Sequence, residues 1–120
     1  MSRRARLCVT AICFYVLMTS QCGAFDTGND IREPCRAALL KPVRVGSSVT
    51  KSQFCIGFVQ AILNIRPRLD KQSNFCPPNE TTTEQAARVM LKFLDDHPEE
   101  AHLRPEFPAV RAFQTMWPCR

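Results

Sequence analysis

Four widely spaced cysteines constrain the fold of this chain more than any other feature. The 120 residues contain seven cysteines, of which Cys35, Cys55, Cys76 and Cys119 lie beyond residue 24. Structural zinc sites usually take their ligands as close pairs, and no C-x-x-C pair occurs here. An even number of cysteines in an exported domain is typical of disulfides. We therefore expect two disulfides, each contributing about 3–4 kcal/mol to the free energy of unfolding.

The first 24 residues have the three-part layout of a secretory signal peptide. Three arginines within the first six residues are followed by an uncharged apolar run over residues 7–18, and then by small or polar residues up to Ala24. The apolar run is shorter than the roughly 20 residues that a membrane-spanning helix needs. We expect cleavage after Ala24, so that residues 25–120 form the exported domain. Lipidation at Cys22 is the alternative, but the preceding Gln21 is not small.

Removal of the leader changes the charge of the chain. The whole sequence has 16 basic and 11 acidic residues, giving a net charge of +5. Three of the arginines and none of the acids lie in the leader, so the exported domain keeps a charge of about +2. It has no basic stripe with interleaved aromatic residues. We therefore expect no nucleic-acid partner, and no membrane attachment once the leader is removed.

The spacing of apolar residues predicts four helices and no strands. The predicted helices cover residues 29–40, residues 50–65, residues 81–97 with a start at Thr81 or Thr82, and residues 107–117. The second helix begins with a predicted capping box at Thr50 and is apolar almost all round, which predicts that it is the most buried element. Gly57 within it predicts close approach of a neighbouring helix. Short connections indicate an all-α antiparallel bundle of four to five helices.

The predicted helix order favours one disulfide pairing. Cys76 precedes the third helix and Cys119 follows the fourth, so the two lie side by side if these helices form an antiparallel hairpin. Cys35 would then pair with Cys55. Four cysteines allow three pairings, and the sequence alone does not choose among them.

Side chains capable of catalysis or metal binding form no recognisable site. His97 and His102 are separated by a proline and do not share a helical face. The acidic residues near them are neighbours on a predicted surface turn, where carboxylates are usually only solvated; they are Asp95, Asp96, Glu99 and Glu100. No nucleophile elbow, glycine-rich phosphate loop or metal motif occurs. We therefore expect no enzyme activity, no cofactor and no metal.

Several short blocks of sequence occur in a recognisable order. They are Phe54-Cys55-Ile56-Gly57-Phe58-Val59, Phe75-Cys76-Pro77-Pro78, Thr82-Thr83-Glu84-Gln85, Phe93-Leu94-Asp95-Asp96-His97-Pro98-Glu99, His102-Leu103 and Trp117-Pro118-Cys119. Together they resemble the Rap/Tai domain family of type VI secretion amidase immunity proteins over about residues 35–119. Phe58 stands where the family has tyrosine, and Ala61 and Asn64 stand where it usually has glycine and aspartate.

The resemblance implies a small helical periplasmic domain, often a homodimer, that binds and blocks a cell-wall amidase toxin and is not an enzyme. The shared blocks carry no binding residue. The polar loop over residues 66–74 and the turn over residues 95–106 are the predicted binding segments, because both are charged and rich in loop structure. Two alternatives remain open: a periplasmic structural or stress protein of unknown partner, and an enzyme acting through Asp95 or Asp96.

Overall fold

The computed structural model describes residues 26–40 and 47–120, and the predicted leader lies outside these ranges. The described residues form four α-helices and no strands, which confirms the all-α prediction. The helices are α1 (Gly28–Leu39), α2 (Ser47–Ile65), α3 (Thr83–Asp96) and α4 (Glu106–Met116), with 3-10 turns at Arg66–Arg68 and Pro98–Glu100. Over the same residues, no helix has the length and apolar character needed to cross a membrane.

Helices α1 and α3 begin at capping boxes, at Thr27 and Thr82. The hydroxyl of Thr82 accepts a hydrogen bond from the Gln85 amide at 3.2 Å, and the Gln85 side chain accepts one from the Thr82 amide at 2.8 Å. This box was predicted, and it satisfies two amides at the start of α3 that have no partner within the helix. The box predicted at Thr50 is wrong, because α2 begins three residues earlier, at Ser47, and includes Thr50.

The second helix buries one face only, so the prediction that it is the most buried element is wrong. Cys55, Val59 and Ile62 lie in the core, whereas Gly57 and Ala61 are exposed. A Cβ added to Gly57 would have no neighbouring atom within 4 Å. The close helix approach that Gly57 predicted is therefore not made among residues 26–40 and 47–120.

The core lies where the four helices meet. Its members are almost all small or aliphatic; the largest fully buried side chains include Phe75, Phe113, Ile31, Met90, Leu94 and Val59. The rings of Phe75 and Phe113 lie 5.2 Å apart, and the Phe113 ring lies 5.6 Å from that of Trp117. These aromatic contacts join the segment before α3 to the end of α4.

The two disulfides have the pairing that the helix order favoured. Cys35–Cys55 joins α1 to α2 and is completely buried. Cys76–Cys119 joins the start of the α3–α4 hairpin to its end, and both of its cysteines are exposed. Beside it, the Cys76 amide donates a hydrogen bond to the Trp117 carbonyl at 2.7 Å. The hairpin is therefore closed at its base by a covalent bond and by a backbone hydrogen bond.

The opposite end of the hairpin is held by the start of α1. The Gly28 amide donates to the Leu103 carbonyl at 2.8 Å, and the Asn29 amide donates to the Ala101 carbonyl at 2.9 Å. The first amides of a helix have no partner within the helix, so the turn supplies the acceptors that α1 lacks. A Cβ at Gly28 would lie 2.9 Å from Leu94 Cδ2 and 3.2 Å from the Ala101 carbonyl oxygen. Glycine therefore fits this approach without displacing either neighbour.

Reduction of the domain should proceed in two steps. The exposed Cys76–Cys119 bond is accessible to a thiol reductant, whereas the buried Cys35–Cys55 bond is not. The bonds span 43 and 20 residues, and chain-entropy arguments assign them about 4 and about 3 kcal/mol. We expect mild reductant to open Cys76–Cys119 first and lower the melting temperature, and complete reduction to remove the helical circular dichroism. Alkylation with mass spectrometry identifies the reduced pair. An unchanged melting temperature in excess reductant would contradict this expectation.

Alanine at the two described glycines should have opposite effects on stability. Gly28→Ala should lower the free energy of unfolding by about 1–3 kcal/mol, because the new methyl group overpacks the contact with Leu94 and Ala101. Gly57→Ala should raise it by about 1 kcal/mol, because alanine favours a helix and has open space at that position. Urea unfolding followed by circular dichroism measures both. Equal stability of the two variants would show that the α1 contact is not tight.

A candidate protein-binding surface

One groove is lined by three residues of the predicted binding loop and by Glu106, the last residue of the predicted binding turn. The groove, called the α4 groove here, has a volume of about 330 Å³. Its lining comes from the end of α2, the loop after it and the first turns of α4; the residues are Ile62, Ile65, Leu69, Gln72, Ser73, Glu106, Phe107, Val110, Arg111 and Gln114. The sequence predicted the two segments separately, and their common border is set by the tertiary fold.

Ion pairs fix the turn between α3 and α4 against α4. Glu100 Oε1 lies 2.9 Å from Arg111 Nη1, and the Glu100 side chain is only 12% exposed. Arg104 Nε lies 2.8 Å from Glu106 Oε1 at the start of α4. Together with the α1 amides, these pairs hold the turn from two sides. The turn is therefore a preformed surface.

The acids at the end of α3 are engaged in ion pairs. Asp95 Oδ1 lies 2.9 Å from Arg36 Nη2 and 3.8 Å from Arg32 Nε, and Arg32 also donates to the Leu94 carbonyl. Asp96 Oδ2 lies 2.8 Å from Lys92 Nζ. The pairs with Asp95 join α3 to α1, so these carboxylates have a structural role. The arrangement gives no support to the alternative of an enzyme acting through Asp95 or Asp96.

His97 and Glu99 form a pair at the tip of the turn. His97 Nδ1 lies 3.1 Å from Glu99 Oε1, and the His97 ring lies 4.3 Å from that of Phe93. A hydrogen bond from its own backbone amide and the bond with His97 lower the pKa of Glu99 below the usual glutamate value. A general acid near neutral pH needs a raised pKa, so this shift has the wrong direction for that role.

One group of possible metal ligands occurs among the described residues. Ligand atoms of His97, Glu99 and Glu100 lie within 4.8 Å of one another. Glu99 already pairs with His97, and Arg111 occupies one oxygen of Glu100. A guanidinium at this distance competes with a cation for the same carboxylate. We assign no metal to the group.

The floor of the α4 groove is an exposed apolar surface. Phe107 is 57% exposed and Ile65 is 40% exposed, and the partly buried Leu69 and Val110 lie beside them. Sequence reasoning placed Phe107 and Ile65 only at helix ends, and gave neither a binding role. Met116, three residues after the buried Phe113, is also exposed, at 51%. The buried side of α4 is formed by Pro108, Ala109, Ala112 and Phe113.

Two further surface grooves differ from the α4 groove in position. One, of about 520 Å³, lies near the Cys76–Cys119 end of the hairpin and is lined by residues that include Arg88, Met116 and Trp117. The other, of about 500 Å³, follows the first half of α2 and includes Gly57 and Phe58. Neither is bordered by either predicted binding segment.

Comparison with known proteins identifies a protein family. A family model described as Rap1a immunity proteins matches residues 27–119. No curated protein matches the chain, and no solved structure does. The matched range contains all four helices and both disulfides.

Removal of the His97 side chain should raise the pKa of Glu99. His97→Ala deletes one of the two main causes of the lowered pKa, so the Glu99 carboxyl should titrate closer to the usual glutamate range. A lowered folded-state pKa stabilises the fold above the unfolded-state pKa, and this stabilisation is lost as the pH falls through the folded-state value. Carboxyl-detected NMR titration measures the change. His102→Ala, which removes an exposed histidine outside the pair, is the control. A Glu99 pKa that is the same in both variants would contradict the assignment.

Proposed function

The chain belongs to the Rap1a immunity protein family, and from this premise we propose that it is an exported protein that binds and blocks a cell-wall amidase toxin. Proteins of an immunity family bind a toxin partner and are generally not enzymes. The amidase, its delivery by type VI secretion and the periplasmic location rest on the sequence blocks and on the leader. The family match over residues 27–119 is the observation that carries the proposal.

The geometry of the turn supports this role. Exposed residues of the turn include Glu99, His102 and Arg104, and the backbone beneath them is tied to α1 through the carbonyls of Ala101 and Leu103. A rigid exposed surface loses little conformational entropy on binding, which favours tight inhibition. Arginine is also among the residues most enriched at binding hot spots.

We extend the proposal to pairing of two copies through the exposed face of α2. Residues 52–65 of α2 carry no charge. A twofold interface places each residue near its own counterpart, so a neutral face avoids like-charge repulsion. Phe54 is 59% exposed and Ala61 is exposed as well, so this face offers apolar area to a second copy.

Inhibition of an amidase tests the proposal. We expect the purified protein to abolish hydrolysis of peptidoglycan by a type VI cell-wall amidase at one chain per toxin, with a dissociation constant of about 1 nM or below. His102→Ala combined with Arg104→Ala should weaken binding by about 10-fold to 100-fold, because both side chains are exposed on the turn. Calorimetric titration measures affinity and stoichiometry.

Lys51→Ala is the matched control for the turn variant. Lys51 is an exposed cation in an ion pair with Glu33 at 2.7 Å, and it lies outside both binding segments. Its removal should leave inhibition unchanged.

Light scattering of the free protein should give the mass of two chains. No inhibition of any amidase in a panel that includes those encoded beside the gene would overturn the toxin proposal, and a monomer mass would overturn the pairing.

A further inference from the structure

We propose that the α4 groove binds an acidic segment of the partner that inserts an apolar side chain at its centre. The inference rests on the proposed function, since the partner is taken to be the toxin. The groove forms a second contact with the toxin beside the turn, and this contact recognises acidic and apolar side chains.

The apolar floor defines the centre of the bound segment. Phe107 and Ile65 expose more than a third of their surface within a groove of about 330 Å³. This volume is at the lower end of the range of about 300–1,000 Å³ found for ligand pockets. It suits one or two inserted side chains, and an exposed aromatic ring beside an aliphatic one is the composition of a binding hot spot.

The acids around the groove already have partners within the chain. Glu106 pairs with Arg104, and Glu100 pairs with Arg111. Asp70 accepts a hydrogen bond from the Ser73 amide at 2.7 Å, and this bond lowers the pKa of Asp70. These carboxylates are therefore committed to holding the turn and the loop.

The cations of the loop, by contrast, have no acidic partner among the described residues. Arg66, Arg68 and Lys71 form no ion pair there. Arg66 directly follows the C-terminus of α2, where the helix dipole favours a positive charge. Arg68 and Lys71 are exposed and have no such role. Arg68 and Lys71 adjoin groove-lining residues in the sequence. The loop over residues 66–74 has three cations and one acid, a net charge of +2, which is complementary to an acidic segment.

The loop that carries these cations is fixed. The Gln114 side chain donates to the Gln72 carbonyl at 2.6 Å, which ties the loop to α4. The Leu69 amide donates to the Arg66 carbonyl at 3.1 Å, and Asp70 holds the Ser73 amide. The groove is therefore formed before the partner arrives, and binding does not have to order it.

Peptide titration tests the groove without the toxin. The probes are two hexapeptides, Glu-Asp-Phe-Leu-Asp-Glu and its basic analogue Lys-Lys-Phe-Leu-Lys-Lys, added to ¹⁵N-labelled protein. We expect only the acidic peptide to shift the amides of Ile65, Leu69, Phe107 and Val110, with an affinity in the millimolar range typical of an isolated segment. Phe107→Ala should abolish the shifts. Met116→Ala, which removes a similarly exposed side chain at the other end of α4, should not. Equal shifts with both peptides, shifts elsewhere or no shifts would overturn the inference.

Toxin binding separates this inference from the proposed function. In an amidase complex, Phe107→Ala should weaken binding by about 10-fold or more. Arg68→Glu with Lys71→Glu should slow association several-fold and reduce its dependence on salt. Arg88→Glu is the control, since Arg88 is also exposed and forms no described ion pair. If the wild type binds an amidase and the groove variants bind equally well, the groove inference fails while the function stands. If no amidase binds but the acidic peptide does, the function fails and the groove takes a different partner.

Discussion

The hydrogen bonds from Gly28 and Asn29 to the α3–α4 turn are the interaction on which the functional surface depends. They use the amides that a helix start leaves without partners, and they satisfy carbonyls that a turn leaves without donors. The approach is close because residue 28 has no Cβ to meet Leu94 and Ala101. The buried Cys35–Cys55 bond then ties the same helix to α2. The start of α1 thereby holds in place a turn that lies more than 70 residues later in the chain.

The α3–α4 hairpin is fixed at its two ends by different means. Its base is closed by Cys76–Cys119 and by packing of Phe75 on Phe113. Its tip is held by α1 and by the Glu100–Arg111 ion pair. The groove beside the tip remains open and has an apolar floor, and the loop that adjoins it carries a net positive charge. A protein that blocks another protein needs a rigid scaffold and an exposed surface that is complementary to its partner.

Local signals allowed much of this fold to be predicted. Capping residues, prolines and apolar spacing located α3 and the other helices, and the order of the helices favoured the observed disulfide pairing. Contacts distant in sequence were not predictable. The glycine signal at Gly57 indicated a close approach, but the approach occurs at Gly28, because space around a glycine is set by the tertiary fold. The exposure of Phe107 was not predictable either, because an apolar residue at a helix end can face either the core or solvent.

The central claim is that the α3–α4 turn and the neighbouring loop together form the surface that meets a toxin. Hydrogen–deuterium exchange of the protein, free and in complex with an inhibited amidase, tests it most directly. We predict slower exchange concentrated in residues 66–74 and 95–106, the two predicted binding segments, and at the groove residue Phe107. Slower exchange confined to residues 77–89 and 115–119, at the opposite end of the hairpin, would contradict it.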